Sequence, residues 1–205
     1  MIPARHHKGY DAFFNWYIHR ILKNDFHRIE IHGSWPAGTN SELVIGNHVS
    51  WWDGFWVYYL NRRFSHKRLF VMMLEEQLAP RMFLSRIGGF SVNPRHRSVV
   101  ESLDYAVNKL VNPGNLVVMY PQGEIASFSA GVLSFQKGFN RVVQWAGLKR
   151  VLFYVALIDY FSNRKPTLTF YLGHYGCENS SGSETENAFN AFYTEAVVQQ
   201  AQKRS

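Results

Sequence analysis

Leu43-Val44-Ile45-Gly46-Asn47-His48-Val49-Ser50-Trp51-Trp52-Asp53-Gly54 is the stretch that decides the fold of this chain. Its aliphatic head, residues 43–45, reads as a short buried strand. The apolar run that follows, Phe55-Trp56-Val57-Tyr58-Tyr59-Leu60, reads as a helix. His48 and Asp53 therefore fall on a strand-to-helix turn, which can bring an imidazole and a carboxylate into hydrogen-bond reach. A carboxylate so placed fixes the imidazole tautomer and leaves the outer ring nitrogen free to take a proton from a hydroxyl.

On the N-terminal side, residues 9–25 predict an amphipathic helix. Phe13, Phe14, Tyr17, Ile18, Ile21 and Leu22 recur at helical spacing, with Arg20 and Lys23 on the flanks. Such a helix either packs on the core or lies on a bilayer with its aromatic rings inserted. His6 and His7, ahead of it, are expected in a disordered terminus. Residues 26–32 alternate like a half-buried strand, and residues 33–40 are rich in turn formers.

On the C-terminal side, residues 68–73 predict a strand and residues 77–85 a short helix. Residues 98–110 predict another helix, with Ser98 and Glu101 at capping-box spacing. Asn112-Pro113-Gly114-Asn115 stops it, and residues 116–120 form a buried strand. A helix over residues 137–146 should end at Gly147, followed by strands at 151–158 and 168–172. Ser180-Ser181-Gly182-Ser183 looks like a linker, and residues 184–204 like a closing helix with Phe189, Phe192, Ala196 and Val197 on one face. Alternation of strands and helices predicts an α/β fold with a mainly parallel central sheet flanked by helices. We expect a single domain over residues 1–205: an N-terminal helix within 1–25, a core at 26–175 and a C-terminal helix at 184–204.

The chain has 205 residues, a formal net charge of +7, a 16% aromatic share and six tryptophans. That is enough length for one domain with a sizeable core, and enough aromatic surface to meet something amphipathic. The basic balance is compatible with a solvated surface, anionic lipid headgroups or an acidic carrier protein. Arg62, Arg63, His66, Lys67 and Arg68 are its densest run. No nucleic-acid-binding signature is present. The single Cys177 excludes an internal disulfide and, in a polar tail, is expected to be incidental. The histidines show no metal-ligand spacing. No apolar run reaches the ~18 residues of a membrane span, and the N-terminal residues lack the apolar core of a secretory signal.

Asn47-His48-x-Ser50-x-x-Asp53 after a strand resembles the histidine–aspartate motif of the glycerolipid acyltransferase family, best known from the 1-acylglycerol-3-phosphate acyltransferases. Three later stretches match in order and spacing. Gly88-Gly89-Phe90-Ser91-Val92-Asn93 resembles the second motif, a glycine-led strand. Tyr120-Pro121-Gln122-Gly123-Glu124 resembles the third, usually Phe-Pro-Glu-Gly-Thr-Arg. Val155-Ala156-Leu157-Ile158 sits where an apolar fourth motif is expected. The resemblance spans residues 29–175.

The resemblance implies a glycerol-3-phosphate acyltransferase-like fold and transfer of a fatty acyl group to a hydroxyl of a lipid acceptor. The donor would be a thioester of acyl carrier protein or coenzyme A, with no further cofactor. His48 would be the general base, Asp53 its orienting partner, and backbone amides near Gly123 would face the oxyanion. A peripheral place on the cytoplasmic face of the inner membrane is expected.

The acceptor motifs depart from the family's. Where an arginine normally grips the acceptor's phosphate, this chain has Pro94, with Arg95 and Arg97 beyond it. Gln122 replaces the usual glutamate, Glu124 the threonine and Ile125 a second arginine. Bidentate arginines are the favoured phosphate grips, and neutral or acidic residues cannot substitute. Gly89, Asn93, Arg95, Arg97, Gln122, Gly123 and Glu124 are the expected substrate-binding residues. Glu124 points to a cationic or polyhydroxyl acceptor rather than a simple lysophosphatidate. A lysophosphatidate enzyme with a shifted arginine, and a non-catalytic lipid-binding member, are the alternatives.

Overall fold

Every residue of β2 (Glu42–Gly46) is buried, because helices cover both faces of the strand. That is why its sequence is a continuous apolar run and not an alternating one. The computed structural model describes residues 1–128, 131–136, 138–178 and 180–204. Its other strands are β1 (Arg28–His32), β3 (Arg68–Leu74), β4 (Gly89–Val92), β5 (Asn115–Met119), β6 (Arg150–Asp159) and β7 (Thr167–Gly176). They form one sheet in the order β1-β7-β6-β2-β5-β3-β4, parallel throughout except for the antiparallel β6–β7 pair. The mainly parallel α/β architecture expected from the alternation of elements is present.

The helices are α1 (Lys8–Asp25), α2 (Asp53–Phe64), α3 (Glu75–Leu78), α4 (Val99–Val111), α5 (Phe139–Trp145) and α6 (Gly182–Ala201). On one face of the sheet, Val44, Val118 and Tyr154 pack with Phe14 and Ile18 of α1 and Val57 and Leu60 of α2. On the other, Ile45, Val117 and Phe153 pack with Leu103 of α4, Val142 of α5 and Phe189 of α6. Helix α1 divides its apolar residues. Phe14, Ile18 and Leu22 are buried, whereas Tyr10, Phe13 and Trp16 remain exposed.

Several local expectations change. The helix expected over 77–85 is α3 followed by a 3-10 stretch, Ala79–Ile87, kinked at Arg81. Ser98 does cap α4, but its side chain makes no capping bond; its hydroxyl meets His96 Nδ1 at 3.0 Å instead. The capping box lies at Ser181 and Glu184, where the expected serine linker is in fact the start of α6. The first residue of the helix expected from Lys137 lies outside the described residues. Cys177 is buried rather than in a loose tail, its thiol donating to Leu148 O at 3.2 Å.

Residues before α1 are also ordered. Ser91 N donates to Ile2 O (2.9 Å), Arg5 N to Ser85 O (2.8 Å) and His7 N to Arg86 O (2.9 Å), so the segment closes the β4 edge. Covering an edge removes a row of unpaired backbone groups that would otherwise invite pairing. The His6 ring of this strap turns inward, with Nε2 at 2.7 Å from Leu69 O.

Candidate active site

The turn after β2 opens at the carboxyl edge of the sheet, where ligands of open α/β sheets bind. Asn47 fixes it there. Its fully buried amide donates to Ala156 O (3.0 Å) and accepts from Ala156 N (2.8 Å), tying the turn to β6 like one more ladder rung. Asp53 is the first residue of α2 and is also fully buried. Its Oδ2 accepts from His48 Nδ1 (2.8 Å), Val49 N (2.8 Å) and Ser50 N (3.0 Å). A carboxylate in the first turn is also favoured by the helix dipole. Burial pushes the Asp53 carboxyl up, while the bonds from His48 and the two amides pull it down. With Nδ1 engaged, Nε2 is the imidazole's free nitrogen.

The third-motif segment clamps this turn from the other side. Tyr120 lies almost parallel to the His48 ring, with centroids 4.8 Å apart and planes at 21°. Gln122 Oε1 accepts from His48 N at 2.7 Å, and His48 O accepts from Ala126 N at 2.9 Å. Gly123 adopts φ +78, and a Cβ there would meet Gln136 at 3.0 Å. The Gly123 amide is itself engaged, donating to Tyr120 O at 3.1 Å.

A cavity of about 870 Å³ opens beside the dyad, and His48, Gly89, Gly123 and Glu124 are on its wall. Its depth is apolar, formed by side chains such as Val71, Leu84, Ile87, Leu103 and Phe139. Asn93, Arg95, Arg97 and Gln122 are not part of the lining, although Pro94 is. Gln122 is buried against the back of the dyad. Asn93 Oδ1 accepts from Arg95 N at 3.2 Å, a local turn contact. Among the described residues, no lysine or arginine lines the cavity. Glu124 is exposed there, with Ile125 beside it.

Three residues at this site have no role assigned from the sequence, although Asn47 and Tyr120 stand within its motifs. Asn47 was legible as a polar residue trapped between two apolar runs, which needs internal partners. Tyr120, at a position usually occupied by phenylalanine, carried a signal in its extra hydroxyl. Tyr154 sits in an unbroken apolar strand and carried none.

A family model described as Acyltransferase matches residues 28–156. The chain belongs to the acyltransferase family. No curated protein matches it. Among solved structures, this acyltransferase resembles the 1-acyl-sn-glycerophosphate (LPA) acyltransferase PlsC from Thermotoga maritima, with a TM-score of 0.67 and 15% identity. The likeness covers 95% of this chain and 81% of that one. At such identity the match speaks for the fold, and it agrees with the glycerolipid acyltransferase resemblance carried by the four motifs.

Proposed function

We propose that this acyltransferase moves a fatty acyl group from an acyl thioester, of acyl carrier protein or coenzyme A, to the hydroxyl of a lipid acceptor that carries no phosphomonoester. The observation that carries the acceptor reading is the cavity wall beside His48, which holds the Glu124 carboxylate and no cation among its described residues. A phosphomonoester there would face a like charge and find no arginine or lysine among the described lining residues to grip it.

In the reaction, the acceptor hydroxyl gives its proton to His48 Nε2 as its oxygen attacks the thioester carbonyl. The tetrahedral intermediate collapses, the C–S bond breaks, and the thiolate takes the proton back from the imidazolium. Asp53 orients the ring and stabilises its charged form. The apolar depth of the cavity suits a hydrocarbon chain, since burying each CH₂ is worth about 0.8 kcal/mol.

A membrane surface is the natural source of such an acceptor. Trp51 lines the cavity and is exposed, as are Phe83, Phe13 and Trp16 nearby. Buried Phe14 ties these rings to the core, stacking on Phe83 and Phe55 and touching Phe13. Rings of this kind with Arg81 over Trp51 (5.7 Å) fit a headgroup region. Among the described residues no helix is long and apolar enough to cross a membrane, so the attachment proposed is peripheral.

The test is a steady-state assay with acyl thioesters and a panel of lyso-lipids, with and without phosphate. We expect transfer to the phosphate-free acceptors and loss of it in His48→Ala. Full activity in His48→Ala would sink the mechanism, and a preference for lysophosphatidate would sink the acceptor reading.

A further inference from the structure

Asp53 Oδ2 accepts three hydrogen bonds, but Oδ1 of the same fully buried carboxylate has no partner. Two more buried oxygens near it share that condition, the hydroxyls of Tyr120 and Tyr154. Buried polar atoms without partners are rare, and each one left alone is destabilising. Three together, two of them donors and one an acceptor, are chemically complementary.

Their placement is specific. Both rings press on Gly46, where an added Cβ would lie 2.8 Å from Tyr154 Cδ1 and 2.9 Å from Tyr120 Cε1. The absence of a side chain at Gly46 is what lets the two phenols converge behind the turn. Tyr120 also stacks on His48, and its hydroxyl is within reach of the Asp53 charge. Burial, with the Asp53 charge adding to it, holds both phenols well above the ordinary tyrosine value, so they remain donors. The titratable groups acting on Asp53 are His48 from the turn, Tyr120 from the end of β5 and Tyr154 from β6.

We infer that Tyr120 and Tyr154 are positioning residues of the dyad, their hydroxyls donating through a shared buried water to Asp53 Oδ1. The water accepts from both phenols and donates to the carboxylate, so all three orphaned atoms are satisfied. Asp53 is thereby held anionic with a fixed orientation, and His48 keeps the tautomer that leaves Nε2 free. The pH readout of this inference rests on the acyl-transfer reading above; its stability readout does not.

The experiment compares Tyr120→Phe, Tyr154→Phe and the double variant with the parent chain. Each substitution removes one oxygen and keeps the ring. A donor taken from Asp53 leaves a more basic carboxylate, which stabilises the imidazolium. The acidic limb of the kcat/KM–pH profile should therefore move up by about half to one pH unit, which is roughly a three- to tenfold change in proton affinity. Thermal melts supply the second readout. A networked hydroxyl stabilises, so its removal should lower Tm, with the two losses non-additive because they share one water. Unchanged pH limbs, or phenylalanine variants that melt higher than the parent chain because an unpaired hydroxyl has gone, would overturn the inference. Absence of acyl transfer altogether would count against the proposed function while the melts still decided this point.

Discussion

Gln122 and His48 lie 74 residues apart in sequence, and the Gln122 side-chain oxygen accepts from the His48 backbone N–H at 2.7 Å. His48, the proposed general base, is thus gripped from two sides, at Nδ1 by Asp53 and at its own amide by the third-motif segment. Removing the second grip in Gln122→Ala leaves a buried N–H unpaired and the turn free to shift. Misplacement of a catalytic group by even 1 Å is costly. We expect kcat to fall about tenfold or more, with acceptor KM changed less than threefold, since Gln122 does not line the cavity. Steady-state kinetics check this, and a parental kcat would show the grip to be dispensable.

Asp53→Asn tests the tautomer. An amide can accept from the Val49 and Ser50 amides but cannot stabilise an imidazolium as a carboxylate does. The expected loss in kcat is about 10³- to 10⁴-fold, the order seen when the carboxylate of a histidine–aspartate pair is made neutral. A loss below tenfold would mean that Asp53 serves only the turn.

Acceptor choice should respond to charge on the cavity wall. Ile125 is 51% exposed and lines the cavity, at the position where the third motif that this stretch resembles usually has an arginine. Ile125→Arg should raise kcat/KM for a lysophosphatidate relative to a phosphate-free lyso-lipid by about tenfold, from one charge-assisted hydrogen bond. Competition assays with the two acceptors read the ratio directly, and no change in it would remove charge as the determinant.

Gly46→Ala should be poorly tolerated for a reason unrelated to its backbone. The new methyl would press on Tyr154 at 2.8 Å and on Tyr120 at 2.9 Å, and Tyr120 cannot shift without disturbing its stack on His48. Overpacking of this kind costs about 1–3 kcal/mol. A lowered Tm together with reduced kcat is the expected result, because Tyr120 carries the displacement to His48.

Stability should also depend on His6. Its Nε2 donates to Leu69 O, and its Nδ1 accepts from Arg68 Nε at 3.3 Å, an arrangement that only the neutral ring can make. Burial lowers its proton affinity below the ordinary value of 6.5, with Arg68 and Lys109 adding to the effect and the Leu69 bond and Asp11 opposing it. The unfolded chain therefore binds this proton at a higher pH than the folded chain does. The stabilisation is complete above about pH 6.5 and is lost as pH falls toward the lowered folded-state value. Denaturant titrations at pH 8 and pH 5.5 should show a drop that is smaller in His6→Phe. Equal drops in the two proteins would relieve His6 of that role.

Much of this protein was determined by the sequence alone. The order of strands and helices, the burial of residues 43–45 and the pairing of His48 with Asp53 are local properties. They follow from hydrophobic run length and from the short reach across a turn. The departures at Pro94, Gln122, Glu124 and Ile125 were equally visible, because they are read against a linear motif. Tertiary structure alone decided the rest. Whether Gln122 faces substrate or the back of His48, whether Arg95 and Arg97 reach the cavity, and where the Tyr154 hydroxyl points depend on contacts between segments far apart in the chain. The same holds for the residues before α1, which have little structure of their own and are ordered by the free edge of β4. Residue type and spacing carry no record of such long-range geometry, since one side chain can serve either environment until packing selects it.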